Sequence, residues 1–289
     1  MRKTWLLIII FTFLISCDIS TNKNIVFVSI LPQKYFVKHL AENFVEIEVM
    51  VEPDENPATY EVTPRQMAKL AEAKQFYRVG VPFEQAWLPK ISKANPNLEI
   101  FDTREGINLR YMTNPISSSK NHSHSNETKD PHIWLSPLLV KIQAENISKG
   151  LISLIPNQEK EIKNNLASFK QKMQVLHNEI SEILDKVQNR KFLVFHPSWG
   201  YFAEEFELEQ IPIEIEGKTP NSRELAAIIK LAKQHNIKNI FVQKQFSTKV
   251  AEAIAEELNA NIIQIDPLAE NYYSNLIEVA QKMKEVLDD

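Results

Sequence analysis

Three ionisable side chains stand next to prolines at the edges of apolar segments, where a sheet protein could use them for binding. His196 follows the apolar run 192–195, Asp266 follows the apolar run 262–265, and a proline comes next in both cases. His132 lies in the block DPHIWLSP, between a proline and two large apolar residues. Ligands of open α/β sheets bind beyond the carboxyl ends of strands, and proline stiffens the turns found there. Two imidazoles and one carboxylate suit Zn²⁺, Mn²⁺ or Fe²⁺.

Each of these residues also has an ordinary structural explanation. A single histidine is commonly a hydrogen-bonded core or surface residue, and Asp266 could cap the chain that enters the last helix. The spacing of the three residues matches no local metal-binding motif. The residue types alone therefore leave a metal site and a purely structural role both open.

The composition excludes several other kinds of chemistry. Among 289 residues there are 33 Lys+Arg and 37 Asp+Glu, a formal charge of -4, so no global basic field exists to hold nucleic acid. One cysteine rules out a disulfide framework and a multi-thiolate metal centre. The 5 glycines form no phosphate-binding loop. We therefore expect no nucleic-acid partner, and histidine and carboxylate as the only realistic metal ligands.

The N-terminal segment 1–17 is typical of a lipoprotein signal peptide. Two basic residues precede the apolar run 5–15, which is too short to cross a hydrocarbon core of about 30 Å. The run ends in LISC, which resembles a bacterial lipobox, in which cleavage leaves the cysteine to be lipidated. We expect a lipid anchor on Cys17 and a polar tether over 18–24; a plain signal peptide with an incidental cysteine is the alternative.

Apolar runs and amphipathic segments alternate along the rest of the chain, which predicts parallel sheets with right-handed helical crossovers. The first lobe, 25–155, has predicted strands at 25–30, 45–49, 76–79 and 98–101, and helices at 33–43 and from Thr63-Pro64 onward. The second lobe, 191–289, has predicted strands at 192–195, 211–215, 240–243 and 262–265, and helices at 223–235, 249–258 and 273–287.

One long amphipathic helix is predicted over 156–190. This segment has no glycine and no proline after its first residue, and apolar residues recur at steps of three and four. At 1.5 Å per residue it would span about 50 Å, more than the width of a small domain. We therefore expect two doubly wound (βα)4-like α/β lobes joined by one long rigid helix, with the ligand site in the interlobe cleft. We expect a monomer, with a coiled-coil dimer as the alternative.

Five sequence blocks, taken in their order along the chain, resemble those of a known family. They are NPATYEVTP at 56–64, DPHIWLSP at 130–137, HPSWGYF at 196–202, EGKTP at 216–220 and DPL at 266–268. Together they resemble the zinc/manganese-type (cluster A-I) substrate-binding lipoproteins of bacterial ABC importers, over essentially the whole chain after the signal segment. The resemblance implies capture of a divalent metal in the periplasm or at the cell surface. It also implies delivery to an ABC permease and its ATPase, without catalysis.

The resemblance implies metal ligands at His132, His196 and Asp266. Histidine at the second of these positions resembles the zinc branch, so Zn²⁺ is the preferred cargo and Mn²⁺ the alternative. The family pattern has a further histidine where this chain has Ala58, which cannot coordinate a metal. We expect three protein ligands plus water, an arrangement that Zn²⁺ tolerates. A substitute ligand, or weakened or lost metal binding, is the alternative.

The candidate substitute ligands are Glu55, Glu61, His122 and His124. The two histidines belong to the polar segment 117–129, which has no apolar periodicity and is expected to be a loop. In zinc-type relatives a His- and acid-rich loop lies at this place and is thought to collect metal. A plain solvated loop explains the composition equally well.

Two other functions compete with metal delivery. A zinc-dependent hydrolase would also use two histidines, a carboxylate and an open coordination position, with Glu61 as its candidate general base. The sequence contains no H-E-x-x-H motif, which speaks against this function. A degenerate family member acting as an adhesin or structural lipoprotein is the other alternative, and Ala58 motivates it.

Overall fold

A four-stranded parallel sheet forms the centre of the first lobe. The computed structural model describes residues 24–112, 128–215, 218–246 and 249–288. The strands of the first sheet are β1 (Asn24–Val28), β2 (Val45–Val49), β3 (Gln75–Arg78) and β4 (Glu99–Asp102). Their order in space is β2-β1-β3-β4, and every pairing is parallel.

A second sheet repeats the same arrangement. Its strands are β5 (Lys191–Val194), β6 (Glu209–Pro212), β7 (Asn239–Gln243) and β8 (Asn261–Ile265). They are ordered β6-β5-β7-β8, again with every pairing parallel. The chain changes direction across each sheet between its first and third strands. The carboxyl ends of β1 and β3, and of β5 and β7, are therefore the places where such sheets bind ligands.

Nine helices in the described residues connect and cover these strands. They are α1 (Leu31–Ala41), α2 (Pro64–Leu70), α3 (Pro82–Ala94), α4 (Pro137–Leu154), α5 (Glu159–Leu184), α6 (Gly200–Glu205), α7 (Ser222–Gln234), α8 (Lys249–Leu258) and α9 (Tyr272–Leu287). Short 3-10 turns lie at Ile133–Leu135 and Pro156–Gln158. The sequence pattern did not predict α3, α4 or α6. An internal proline, Pro89, obscures α3, whereas α4 does begin with a recognisable signal, an N-cap serine followed by a proline.

The long helix is shorter than the predicted 156–190. A 3-10 turn precedes α5, and the helix itself ends at Leu184. Beyond that end, the backbone N–H groups of Gln188 and Asn189 donate to the carboxylate of Asp288, at 2.7 and 3.0 Å. This contact with the C-terminal end of the chain holds the backbone in a turn that leads into β5.

Helix α5 belongs to the core of both lobes. It packs against α1, α4 and α9. The largest apolar cluster contains residues of β1, β3, α4, α5, α6 and α9, while a smaller one contains residues of β5, β6, β7, α7 and α8. The prediction of two parallel α/β lobes joined by a long helix is thus confirmed, and the two lobes share a buried core.

Some predicted features lie outside the described residues. These are the signal segment 1–17 with Cys17, all of the tether except its last residue, and the candidate ligands His122 and His124. Among the helices that are described, none combines the length and apolar character needed to cross a bilayer.

Candidate functional site

Two of the three predicted ligands, His132 and His196, meet in the structure. Their ring centroids lie 5.3 Å apart, and the rings are close to perpendicular, at 74°. His196 stands just beyond the carboxyl end of β5, and His132 immediately precedes the 3-10 turn that leads into α4. The histidine pair therefore joins the second sheet to the segment that follows the first sheet.

A buried carboxylate fixes the orientation of His132. Oδ1 of Asp130 accepts hydrogen bonds from the backbone N–H of His132 at 3.0 Å and from its Nδ1 at 2.7 Å. Because a carboxylate only accepts, Nδ1 carries the proton, and Nε2 is the nitrogen with a free lone pair. Trp134 packs beside the ring at 5.1 Å and donates from Nε1 to the carbonyl of Pro267 at 2.8 Å. His132 is thereby tied to the loop that follows β8.

His196 is held from three sides. Its Nδ1 donates to the carboxylate of Glu214, in the loop after β6. Gln243, at the end of β7, accepts from the backbone N–H of His196 at 3.2 Å and donates to its carbonyl at 2.6 Å. Phe246 stacks on the ring with a centroid separation of 4.7 Å. His196 therefore has the same tautomer as His132, with Nε2 free.

The surroundings of His196 favour its neutral form. Burial lowers the pKa of His196 below its usual value, the hydrogen bond to Glu214 opposes this shift, and the neighbouring His132 lowers the pKa further. A neutral imidazole keeps the lone pair that a metal ion needs. At neutral pH the His196 side chain is thus a competent donor.

Asp266 already has several partners of its own. Its Oδ1 accepts from the backbone N–H of Leu268 at 2.9 Å and from Nε2 of Gln245 at 3.0 Å. Nζ of Lys244 lies 3.8 Å from Oδ2. The carboxylate shapes the turn after β8 through its bond two residues ahead, rather than by capping α9. Asp266 thus has a structural role in this turn, and its Oδ2 faces the ammonium group of Lys244.

The structure does not gather a full ligand set. Within the described ranges, no group of three or more His, Cys, Asp or Glu side chains is placed to hold one metal ion. Glu55 and Glu61 are exposed, and so is Ala58, whose N–H donates to Asn56 at 2.8 Å. Coordination by Asp266, or by a substitute ligand, stays a prediction.

Sequence reasoning missed two of the residues that organise this site. Asp130 stands two residues before His132 in the DPH block. That spacing could have indicated the hydrogen bond between the two side chains. Gln243 ends β7, beside β5, so the rule that found His196 also points to it. Both are completely buried, which is uncommon for these residue types unless they are hydrogen-bonded.

The fold and the histidine pair define a class of protein, the two-lobed α/β binding proteins that receive a ligand where their lobes meet. Within that class, the chain belongs to the family described as zinc-uptake complex component A, periplasmic (ZnuA), whose family model matches residues 26–286.

Known relatives agree with this assignment over most of the chain. The high-affinity zinc uptake system protein ZnuA of Bacillus subtilis (strain 168) is 26% identical over 85% of this chain and 78% of the relative. A crystal structure of a ZnuA 138-173 deletion mutant with zinc bound is 41% identical, with a TM-score of 0.85, over 92% of this chain and 99% of that chain. The laminin-binding protein Lmb of Streptococcus agalactiae, at 22% identity and a TM-score of 0.80 over 92% of this chain and 99% of that chain, shares the fold.

Proposed function

We propose that this protein is an extracytoplasmic solute-binding protein that captures Zn²⁺ and delivers it to an ABC importer built from a permease and an ATPase. The observation that carries the proposal is the pairing of His132 and His196, each with Nδ1 donated to its own carboxylate. Metal-binding histidines characteristically use one ring nitrogen in this way and coordinate with the other. The zinc-uptake relatives support Zn²⁺ as the cargo, with Mn²⁺ as the alternative.

In this proposal the two Nε2 atoms and the carboxylate of Asp266 form a three-ligand site. Asp130 and Glu214 raise the basicity of the imidazoles and hold their rings at fixed angles. Asp266 approaches the pair through its loop, which the Trp134 hydrogen bond to Pro267 already ties to His132. A water molecule takes the fourth position, since Ala58 has no donor atom.

The same proposal covers the position of the protein in the cell. Lipidation of Cys17 would keep the chain at the outer face of a membrane, in the periplasm or on the cell surface. The lipid would supply the attachment because the composition has no excess of basic residues. The protein would act as a monomer and catalyse no reaction.

Zinc titration of the purified protein by calorimetry tests the function. We expect about one Zn²⁺ per chain at micromolar or tighter affinity. His132→Ala and His196→Ala should each weaken binding by roughly 100-fold or more, since each removes a direct ligand. The matched control is His235→Ala, at the end of α7, which should bind as the wild type does.

Three outcomes would overturn the proposal. The first is the absence of zinc binding at neutral pH, which would favour the adhesin or structural lipoprotein suggested by Ala58. The second is wild-type affinity in both histidine variants, which would place the metal elsewhere. Zinc-dependent turnover of esters or peptides would favour the hydrolase.

A further inference from the structure

Arg110 stands between the carboxylate that orients His132 and the helix α6. Its Nε lies 3.9 Å from Oδ2 of Asp130, and its Nη1 lies 3.9 Å from the carboxylate of Glu204 on α6. Asp130 is completely buried, and its Oδ2 accepts no hydrogen bond from any described residue. The guanidinium therefore supplies positive charge beside Oδ2, whereas Oδ1 of the same carboxylate is compensated by its two hydrogen bonds from His132.

Tyr201 of α6 joins the same two residues through their backbones. Its hydroxyl donates to the carbonyl of Asp130 at 3.0 Å and accepts from the backbone N–H of Arg110 at 3.0 Å. Asp130 in turn donates its own N–H to the carbonyl of Arg110 at 2.9 Å. A side chain of α6 thus completes the hydrogen bonding of the backbone segment that carries Asp130.

Gly200, the first residue of α6, allows this close approach. A Cβ atom at position 200 would lie 2.4 Å from Nη1 of Arg110 and 2.9 Å from Oδ2 of Asp130. Both separations are shorter than side chains tolerate, so any other residue would push the ion pair away from α6. Because position 200 has no side chain, the Arg110 guanidinium and the Asp130 carboxylate can both lie against α6.

We propose that Arg110, Gly200 and Tyr201 are positioning residues for the metal, through which α6 sets the tautomer and ring angle of His132. This inference rests on the proposed function. α6 begins shortly after His196, so one short segment, 196–201, carries one histidine of the pair and orients the other. A shift of α6 changes the geometry of both donors together, which couples the affinity for Zn²⁺ to the position of this helix.

Three variants test the inference: Arg110→Met, Gly200→Ala and Tyr201→Phe. For each we expect Zn²⁺ affinity, measured by competition with a chelator, to fall by about 10- to 100-fold. The visible absorption bands of the Co²⁺-loaded protein report ligand geometry, and we expect them to change. Arg110→Lys keeps the positive charge and should recover part of the lost affinity.

Two matched controls separate positioning from general loss of stability. Arg104→Met removes an arginine of similar exposure, 24% against 26%, from its ion pair with Asp102. Gly150→Ala introduces a Cβ that would lie 2.8 Å from the Tyr77 hydroxyl, inside α4. Both controls should lower the thermal midpoint and leave Zn²⁺ affinity and the Co²⁺ spectrum unchanged.

The inference is overturned if Arg110→Met and Tyr201→Phe fold and retain wild-type affinity and Co²⁺ spectrum; these two variants decide the matter should Gly200→Ala fail to fold. His132→Ala in the same assay distinguishes a failure of this inference from a failure of the proposed function. Loss of binding in His132→Ala but not in Arg110→Met defeats the positioning role alone. Absence of Zn²⁺ binding in the wild type defeats the proposed function and the inference with it.

Discussion

The two carboxylates that orient the histidines differ in their own support. Asp130 is completely buried and is flanked by Arg110 and α6, whereas Glu214 is 8% exposed and lies in the loop after β6. Each accepts a hydrogen bond from Nδ1 of its histidine. Since the Nε2 lone pairs point away from these bonds, we propose that the two carboxylates together determine where a metal ion binds.

Replacing Glu214 tests this role at the level of one residue. Glu214→Ala should weaken Zn²⁺ binding by about 10- to 100-fold, because His196 loses its fixed tautomer and ring angle. Glu214→Gln should lose much less, since an amide oxygen can still accept from Nδ1. Glu209→Ala, an exposed glutamate on β6, is the control, and isothermal calorimetry is the measurement. Equal affinity in Glu214→Ala and the wild type would contradict the role.

Position 58 allows a test in the opposite direction. Ala58→His should tighten Zn²⁺ binding by about tenfold or more, because it supplies the donor that the resemblance leads one to expect there. Thr59→His is the matched control, since the neighbouring residue is also exposed. An unchanged affinity in Ala58→His would show that another group already occupies the fourth position, or that this loop does not reach the metal.

The sequence singles out the proposed donors more readily than the side chains that support them. His196 and Asp266 stand out because each directly follows an apolar strand, a local pattern. Glu214, in the loop after β6, and Gln243, at the end of β7, both bind His196. Arg110 approaches Asp130 from an earlier part of the chain. Such contacts depend on strand order and loop geometry, which one sequence does not specify.

At the scale of elements, three helices meet at one buried carboxylate. Glu205 at the end of α6 accepts from Nδ1 of His177 on α5 at 2.7 Å and from the hydroxyl of Ser136, the N-cap of α4. Burial raises the pKa of Glu205 above its usual value, although both hydrogen bonds oppose the shift. The folded protein therefore holds this proton more tightly than the unfolded chain does.

The raised pKa of Glu205 determines whether the stability of the folded protein rises or falls with pH. The stability that the protonated Glu205 contributes is present below the unfolded pKa and is lost as pH rises through the folded pKa. Relative to Glu205→Gln, the wild type should thus lose thermal stability as pH rises from about 4.3, the ordinary pKa of a glutamate, toward neutrality. Melting curves across this range test it, with Glu161→Gln as the exposed control. A wild-type advantage that grows with pH would contradict the sign.

The sequence gives the correct type for each element that it predicts, but it misses three helices and shifts element ends. The apolar spacing of α5 correctly indicates a long helix, because its buried residues all face one core. Beyond the end of α5 at Leu184, Asp288 accepts hydrogen bonds from the backbone of Gln188 and Asn189, a contact between residues that are far apart in the sequence. Helix α4 was missed although its capping signal is present in the sequence.

At the scale of the whole molecule, the shared core predicts cooperative unfolding. Residues of β1, α5, α6 and α9 belong to one buried cluster, so neither lobe can open without exposing apolar surface of the other. We expect one calorimetric transition, and we expect Zn²⁺ to raise its midpoint temperature. At a free Zn²⁺ concentration of 100 times Kd, binding adds about 2.7 kcal/mol to the free energy of unfolding. For a chain of this size the midpoint temperature then rises on the order of 5 to 10 °C.

Two separate transitions would show that the lobes unfold independently, if zinc raised the midpoint temperature of only one of them. The His132→Ala and His196→Ala proteins provide the control for this experiment. Their transitions should remain single, and zinc at the same concentration should shift them little.

The continuous core also limits how such a chain can be divided or recombined. A fragment ending before α5 would leave the apolar faces of α1 and α4 uncovered, and a fragment beginning at β5 would leave α9 without its partner. Each piece would expose a surface of the kind that causes aggregation. Grafting one lobe onto the lobe of a relative would therefore require α5 and its contacts on both sides to be exchanged as well.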